Sequence, residues 1–268
     1  MMINHELIQM TRFCNDLHDD EKIVFCKIDF IEKEFIRLKN KNNKCVLIIA
    51  NGDITFDDRR LSLCPENVYH IFATNTNCNS DKVTPIPLGI EIDILPIRLG
   101  HGIINEGIFE KKEYLLNPHL IPQPIIKEKL ISNFRVNTNY DLRQKIKNIC
   151  NELDYVDSYD EISFKEFSNY VKSYLGVISP RGNGIECIRT YETLYLGGIP
   201  IVVGPFNDYK IIYEKIYKNL PVVYINDEEK LKDFVFIKNE IKKVKNNSRE
   251  SLKYSYWLNL IKNKSKEL

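Results

Sequence analysis

The sequence predicts a mixed α/β chain in two halves, each layered on a mainly parallel sheet. Three observations predict it: short continuous apolar runs, amphipathic stretches between them, and a proline-interrupted segment midway along the chain.

In the first half, Ile23–Lys27 reads as a strand and Phe30–Leu38 as an amphipathic helix. The Lys/Asn cluster Lys39–Lys44 reads as a solvated loop. Cys45–Ala50 (CVLIIA) is a continuous β-branched and apolar run, the pattern of a strand covered on both faces. Val68–Ala73 and Val83–Pro87 are further short strand candidates. Between Leu95 and Ile126 the pattern weakens, and Pro96, Pro118, Pro122 and Pro124 favour an extended connection. A boundary near residue 125 therefore divides the chain into 1–125 and 126–268. The second half runs strand Lys129–Phe134, helix Asn139–Leu153, strand Tyr174–Ser179, helix Ile185–Leu196, and strands Ile199–Val203 and Val222–Ile225. Asp227–Leu268 reads as two or three polar helices, with Trp257 anchoring one of them. Two such halves leave a cleft at the carboxyl ends of their strands, where ligands of open α/β sheets sit.

Composition narrows the function classes. The 268 residues carry 38 Lys plus Arg against 37 Asp plus Glu, a formal charge of +1. That balance lacks the basic excess of a dedicated nucleic-acid binder, so anions must be held by a few well-placed cations. The seven cysteines are scattered, with no CxxC pair, which suits a reducing compartment better than a zinc site or a disulfide framework. No run approaches about 20 apolar residues, so no membrane span is expected, and the expected location is cytoplasmic.

The stretch Leu175–Val203 concentrates the chemistry. A strand ends at Ser179-Pro180, a turn Arg181-Gly182-Asn183-Gly184 follows, and a helix leads to Gly197-Gly198. Glycines that admit a close backbone, ahead of a helix N-terminus, make an anion site. Arg181 and Arg189 suit phosphate oxygens and are expected to clamp a diphosphate. Glu186 and Glu192, if both are helical, stand roughly 9 Å apart at about 1.5 Å per residue, so one reaches a ribose and the other a sugar. Each feature has a plainer alternative: the glycines as a structural turn, and Glu186–Arg189 as a solvated i,i+3 ion pair. The glycines also miss the full dinucleotide fingerprint, which weighs against a dehydrogenase.

The run SPRGNGIECIRTYETLYLGGIPIVVG, then Tyr213-Glu214 and LPVVYINDEEKL, resembles the C-terminal signature of exostosin-like glycosyltransferases. Weaker similarity extends to Val46–Asp53, Phe72–Asn75, Lys82–Glu91 and Leu130–Arg143. The resemblance implies a GT-B-like fold of two Rossmann-like domains, the C-terminal one holding a nucleotide sugar, a UDP-sugar first among candidates. It implies Arg181 and Arg189 on the diphosphate, Glu192 on the ribose, and Gly182, Asn183 and Gly184 shaping the pocket. The acceptor is expected to be a glycan or glycoprotein. No Asp-x-Asp triplet occurs, so an inverting, metal-independent transfer without a cofactor is expected. The alternative is a non-catalytic nucleotide- or glycan-binding module on the same fold.

Such a transfer needs a base on the acceptor side. Asp53 follows the buried strand in the turn Asn51-Gly52-Asp53 and is the first candidate, its plainer role being a turn or cap residue. Glu91, after PIPLGI, and His101, between two glycines, are the next two. His70, within a strand, fits a packed, hydrogen-bonded residue better.

Overall fold

A computed structural model of the chain describes residues 6–17, 21–92, 107–122 and 124–268. In order come α1 (Met10–Asp16), β1 (Ile23–Lys27), α2 (Ile31–Lys39), β2 (Cys45–Ala50), α3 (Asp58–Ser62), β3 (Val68–Ala73) and β4 (Val83–Pro85). Then α4 (Gly107–Leu116), β5 (Lys127–Ser132), α5 (Tyr140–Glu152), β6 (Val156–Ser158), α6 (Phe164–Ser173) and β7 (Tyr174–Pro180) follow. The chain continues through α7 (Ile188–Tyr195), β8 (Pro200–Val203), α8 (Phe206–Lys215), β9 (Val223–Ile225), α9 (Phe234–Val244) and α10 (Tyr254–Lys266). The fold is mixed α/β with two parallel sheets, consistent with a Rossmann-like fold.

The first sheet has the order β1-β2-β3-β4, each strand parallel to the last. Right-handed crossovers that always step the same way place their helices on one face. The burial of β2 on both sides shows how the sheet manages this. Cys45, Leu47 and Ile49 pack with the α2 stripe Ile31, Phe35 and Leu38. Val46, Ile48 and Ala50 point the other way, onto Met10 and Phe13 of α1 and Tyr254, Trp257 and Ile261 of α10. The last helix of the chain therefore covers the first sheet. Trp257 is buried there and donates its indole N–H to the Ser251 carbonyl at 2.8 Å.

The second sheet has the order β6-β5-β7-β8-β9, again parallel. Strand order reverses between β5 and β7, creating a topological switch point. Its two faces are filled by separate cores. One sets Val177 and Val202 against Phe167, Tyr191 and Leu194; the other sets Ile178 and Ile201 against Ile146, Ile149 and Ile237. Proline-interrupted residues 107–122, expected to be extended, hold the helix α4 instead. Its side chains reach α6, and Glu110 accepts the Phe164 N–H at 2.8 Å.

Candidate functional site

The carboxyl ends of both sheets meet at one cleft. The turns after β2 and β3 face the turn after β7 across it. Asn51 and Asn75 take left-handed backbone, φ 61° and 48°, which asparagine tolerates better than most non-glycine residues. Gly52 is required for space: a Cβ there would lie 2.4 Å from Ile28 Cγ2 and 2.7 Å from an Asp29 carboxylate oxygen.

Residues 181–187 are irregular, and α7 begins at Ile188 with Cys187 as its N-cap. The helix expected from Ile185 thus starts three residues later. Glu186 lies ahead of it, so the argument from helical rise to Glu192 does not apply. Pro180 still pairs with Val203 in the sheet, which holds the chain extended into the turn.

Asn75 ties the two sheets' loops together. Its side chain donates to the Gly52 carbonyl at 3.0 Å and accepts the Glu186 N–H at 2.8 Å. A Cβ on Gly184 would sit 2.8 Å from Asn75 Nδ2, so only glycine lets the turn approach. The Glu186 carboxylate, 3% exposed, accepts from the Tyr191 hydroxyl and from the Asn75 and Leu88 amides at 3.5 and 3.4 Å. Burial pushes its pKa up to about 7, against the opposing pull of the Tyr191 hydroxyl and the two amides. On the outer side Asn183 donates to Asp53 Oδ2 at 3.3 Å.

Two adjoining cavities open here. The first, about 270 Å³, is lined by Asp53, Gly182, Asn183, Gly184 and Glu186, with Glu91 on the same wall. The second, about 570 Å³, holds Arg189 and Glu192. Thr138, Arg143, Cys187 and Ile188 line both. Their charges differ. The first has Asp53, Glu91 and Glu186 against Arg143; the second has Lys111, Arg135, Arg143 and Arg189 against Glu110 and Glu192.

The two arginines singled out in the sequence are both ion-paired. Arg181 pairs with Asp208 and donates to the Asn183 carbonyl at 3.2 Å, which turns it behind the turn, into a depression beside α8. Arg189 pairs with Glu192 at 3.1 Å, its guanidinium 3.8 Å from the centre of the Phe167 ring. Glu192, 3% exposed, also pairs with Lys111 of α4. Burial pushes its pKa up, but Lys111 and Arg189 outweigh this and leave it below the ordinary value. The i,i+3 ion pair weighed as the plainer alternative, Glu186–Arg189, is not the one formed; Arg189 pairs with Glu192 instead.

Arg143, Asn75 and Lys111 were not assigned roles from the sequence. Arg143 is 6% exposed and donates to the carbonyls of Arg181 at 2.8 Å, Arg135 at 2.7 Å and Pro180 at 3.1 Å. The sequence does carry its signal: Arg143, Ile146 and Cys150 share the buried stripe of α5, and an arginine at a core position needs buried partners. Lys111 lay in the stretch with no periodic pattern, and nothing local marks it.

Of the other base candidates, His101 lies outside the described residues. His70 is buried in β3, bonded to Thr84 Oγ1 at 2.8 Å, and burial followed by Lys264 lowers its pKa to about 4. Among the described residues no group of three or more His, Cys, Asp or Glu is gathered to hold a metal ion. No helix among them is long and apolar enough to cross a membrane. No known family model matches the chain, and no curated protein matches it.

Proposed function

We propose that the chain is a glycosyltransferase of the GT-B, exostosin-like kind, acting on a nucleoside-diphosphate sugar in the cleft between its two sheets. One observation carries the proposal. The glycine turn at the β5/β7 switch point faces a carboxylate, Asp53, from the other sheet, within one cleft. The basic cavity suits the diphosphate and the acidic cavity suits a hydroxyl-bearing acceptor. Arg189, Glu192 and Lys111 line the donor side. Gly182, Asn183 and Gly184 shape the passage between the cavities, and buried Glu186 holds that passage in place.

In this scheme Asp53 takes the proton from an acceptor hydroxyl. The hydroxyl oxygen bonds the anomeric carbon as the carbon–phosphate-oxygen bond breaks. The electron pair leaves with the nucleoside diphosphate, and the configuration inverts. Arg143 and Arg189 offset the charge that develops on the leaving group.

The test pairs binding with turnover. A thermal-shift panel of UDP-, GDP-, CMP- and dTDP-sugars should show one nucleotide class raising the melting temperature. With the sugar so found, Asp53→Asn should keep donor affinity while turnover falls by about 10²–10⁴. Full turnover in Asp53→Asn moves the base to Glu91. The absence of any shift and of donor hydrolysis would sink the proposal.

A further inference from the structure

Arg143 is a cation without a carboxylate partner among the described residues, buried at the wall that the two cavities share. A guanidinium removed from water costs several kcal/mol unless its charge is compensated. Here main-chain carbonyls take an N–H from each of its three nitrogens, and Nη2 also donates to Cys187 Sγ at 3.6 Å; these partners supply dipoles rather than a counter-charge. The neighbouring arginines differ. Asp208 takes the charge of Arg181, and Glu192 takes that of Arg189.

The position is as specific as the charge. The three carbonyls belong to Pro180 and Arg181, at the end of β7, and to Arg135, in the loop after β5. Those are the two strands between which the sheet order reverses. Gly182 leaves the guanidinium room: a Cβ there would be 3.2 Å from Arg143 Nη2. The guanidinium is therefore held in place before any ligand arrives, bound to the backbone through Nε, Nη1 and Nη2, and the residue lines both cavities.

We infer that Arg143 is the principal anion-binding group of this cleft and takes the phosphate nearest the transferred group of a phosphate-bearing ligand. It sits where the basic cavity meets the acidic one, whose lining includes Asp53. Arg181 is left as a structural residue that closes the turn onto α8. The inference rests on the proposed donor site and gives Arg143 the phosphate-holding place that the sequence assigned to Arg181.

The probe is inorganic diphosphate, titrated by calorimetry into the full chain and into Arg143→Met, Arg143→Lys and Arg181→Met. Wild type should bind it with an affinity that falls as salt rises. Arg143→Met should lose at least about tenfold and flatten that salt dependence, whereas Arg181→Met should change affinity by less than about threefold. Unchanged affinity in a folded Arg143→Met, an equal loss in Arg181→Met, or no binding by wild type overturns the inference. If circular dichroism shows Arg143→Met unfolded, Arg143→Lys decides. An ammonium cannot bridge three carbonyls and hold its charge at the same place in the cavity wall, so about tenfold weaker binding is expected and an unchanged affinity is fatal. Diphosphate bound through Arg143 with no turnover of any nucleotide sugar would overturn the transferase proposal and leave this inference standing.

Discussion

Glu186 shows how one residue joins two layers. Its amide is held by Asn75 and its carboxylate by Asn75, Leu88 and Tyr191, so elements from both sheets close on it. Its pKa is raised from 4.5 to about 7, chiefly by burial. A raised folded-state value means that the folded state binds the proton more tightly. The resulting stability is fully present below pH 4.5 and is lost as pH rises through 7. Glu186→Gln should therefore remove about 2–3 kcal/mol of the difference between pH 5 and pH 8 in denaturant unfolding. An identical pH profile in the variant would show that the carboxylate does not titrate in this range. At the same scale, the chain has no Asp-x-Asp triplet. Transferase activity should persist in excess chelator, and complete loss restored by manganese or magnesium would contradict the proposed scheme.

At the scale of single elements, α6 is specified by its first turn. Ser163 accepts the Glu166 N–H at 3.2 Å while Glu166 accepts the Ser163 N–H at 3.0 Å, a reciprocal capping box. The helix sets Phe167 under Arg189 and Val171 against Gly198. Ser163→Ala should cost about 1 kcal/mol and lower the melting temperature without changing the cleft's ligand preference. A loss beyond about 2 kcal/mol would mean that the hydroxyl does more than cap. β1, β2 and β3 match their expected spans residue for residue, because each is a short, mainly apolar run between polar breaks. β6 and α6 were not expected. β6 spans three residues, Val156–Ser158, only the first of them buried, and so short a run leaves no period to read. α7 starts at Ile188 rather than Ile185, and the Glu186 amide ahead of it is held by Asn75 from the other sheet, a partner distant in the chain.

Across the whole molecule, residues 6–17 and α10 are packed together beside the first sheet. Tyr254 donates to Asp16 at 2.9 Å, Ser255 donates to Glu6, and Tyr195 links the Ile8 amide to the Leu252 carbonyl. Trp257 and Ile261 fill the face of β2 that the crossover helices leave open. Trp257→Ala should cost about 3–5 kcal/mol, read as a lower denaturant midpoint. Because the lost contacts lie on the first sheet, hydrogen exchange should rise in β2 and β3 rather than in β7 and β8. Faster exchange confined to the second sheet would show that α10 belongs energetically to the other half.

The sequence by itself determined every strand but β6, their parallel α/β context and the glycine turn, since these depend on local runs, spacing and backbone freedom. It also marked Asp53 and residues 182–184, which follow strands and so fall at the carboxyl edge of their sheets. The tertiary structure alone decided which charges are compensated. In chain order Asp208 lies 27 residues from Arg181, Glu192 3 residues from Arg189, and Lys111 81 residues from Glu192, and only folding brings Lys111 onto Glu192. The same holds for Arg143, whose three carbonyl partners lie on two separate loops, and for α10, whose apolar stripe does not reveal which sheet it covers. Local pattern fixes what a segment can bury; which partner buries it depends on contacts distant in the chain.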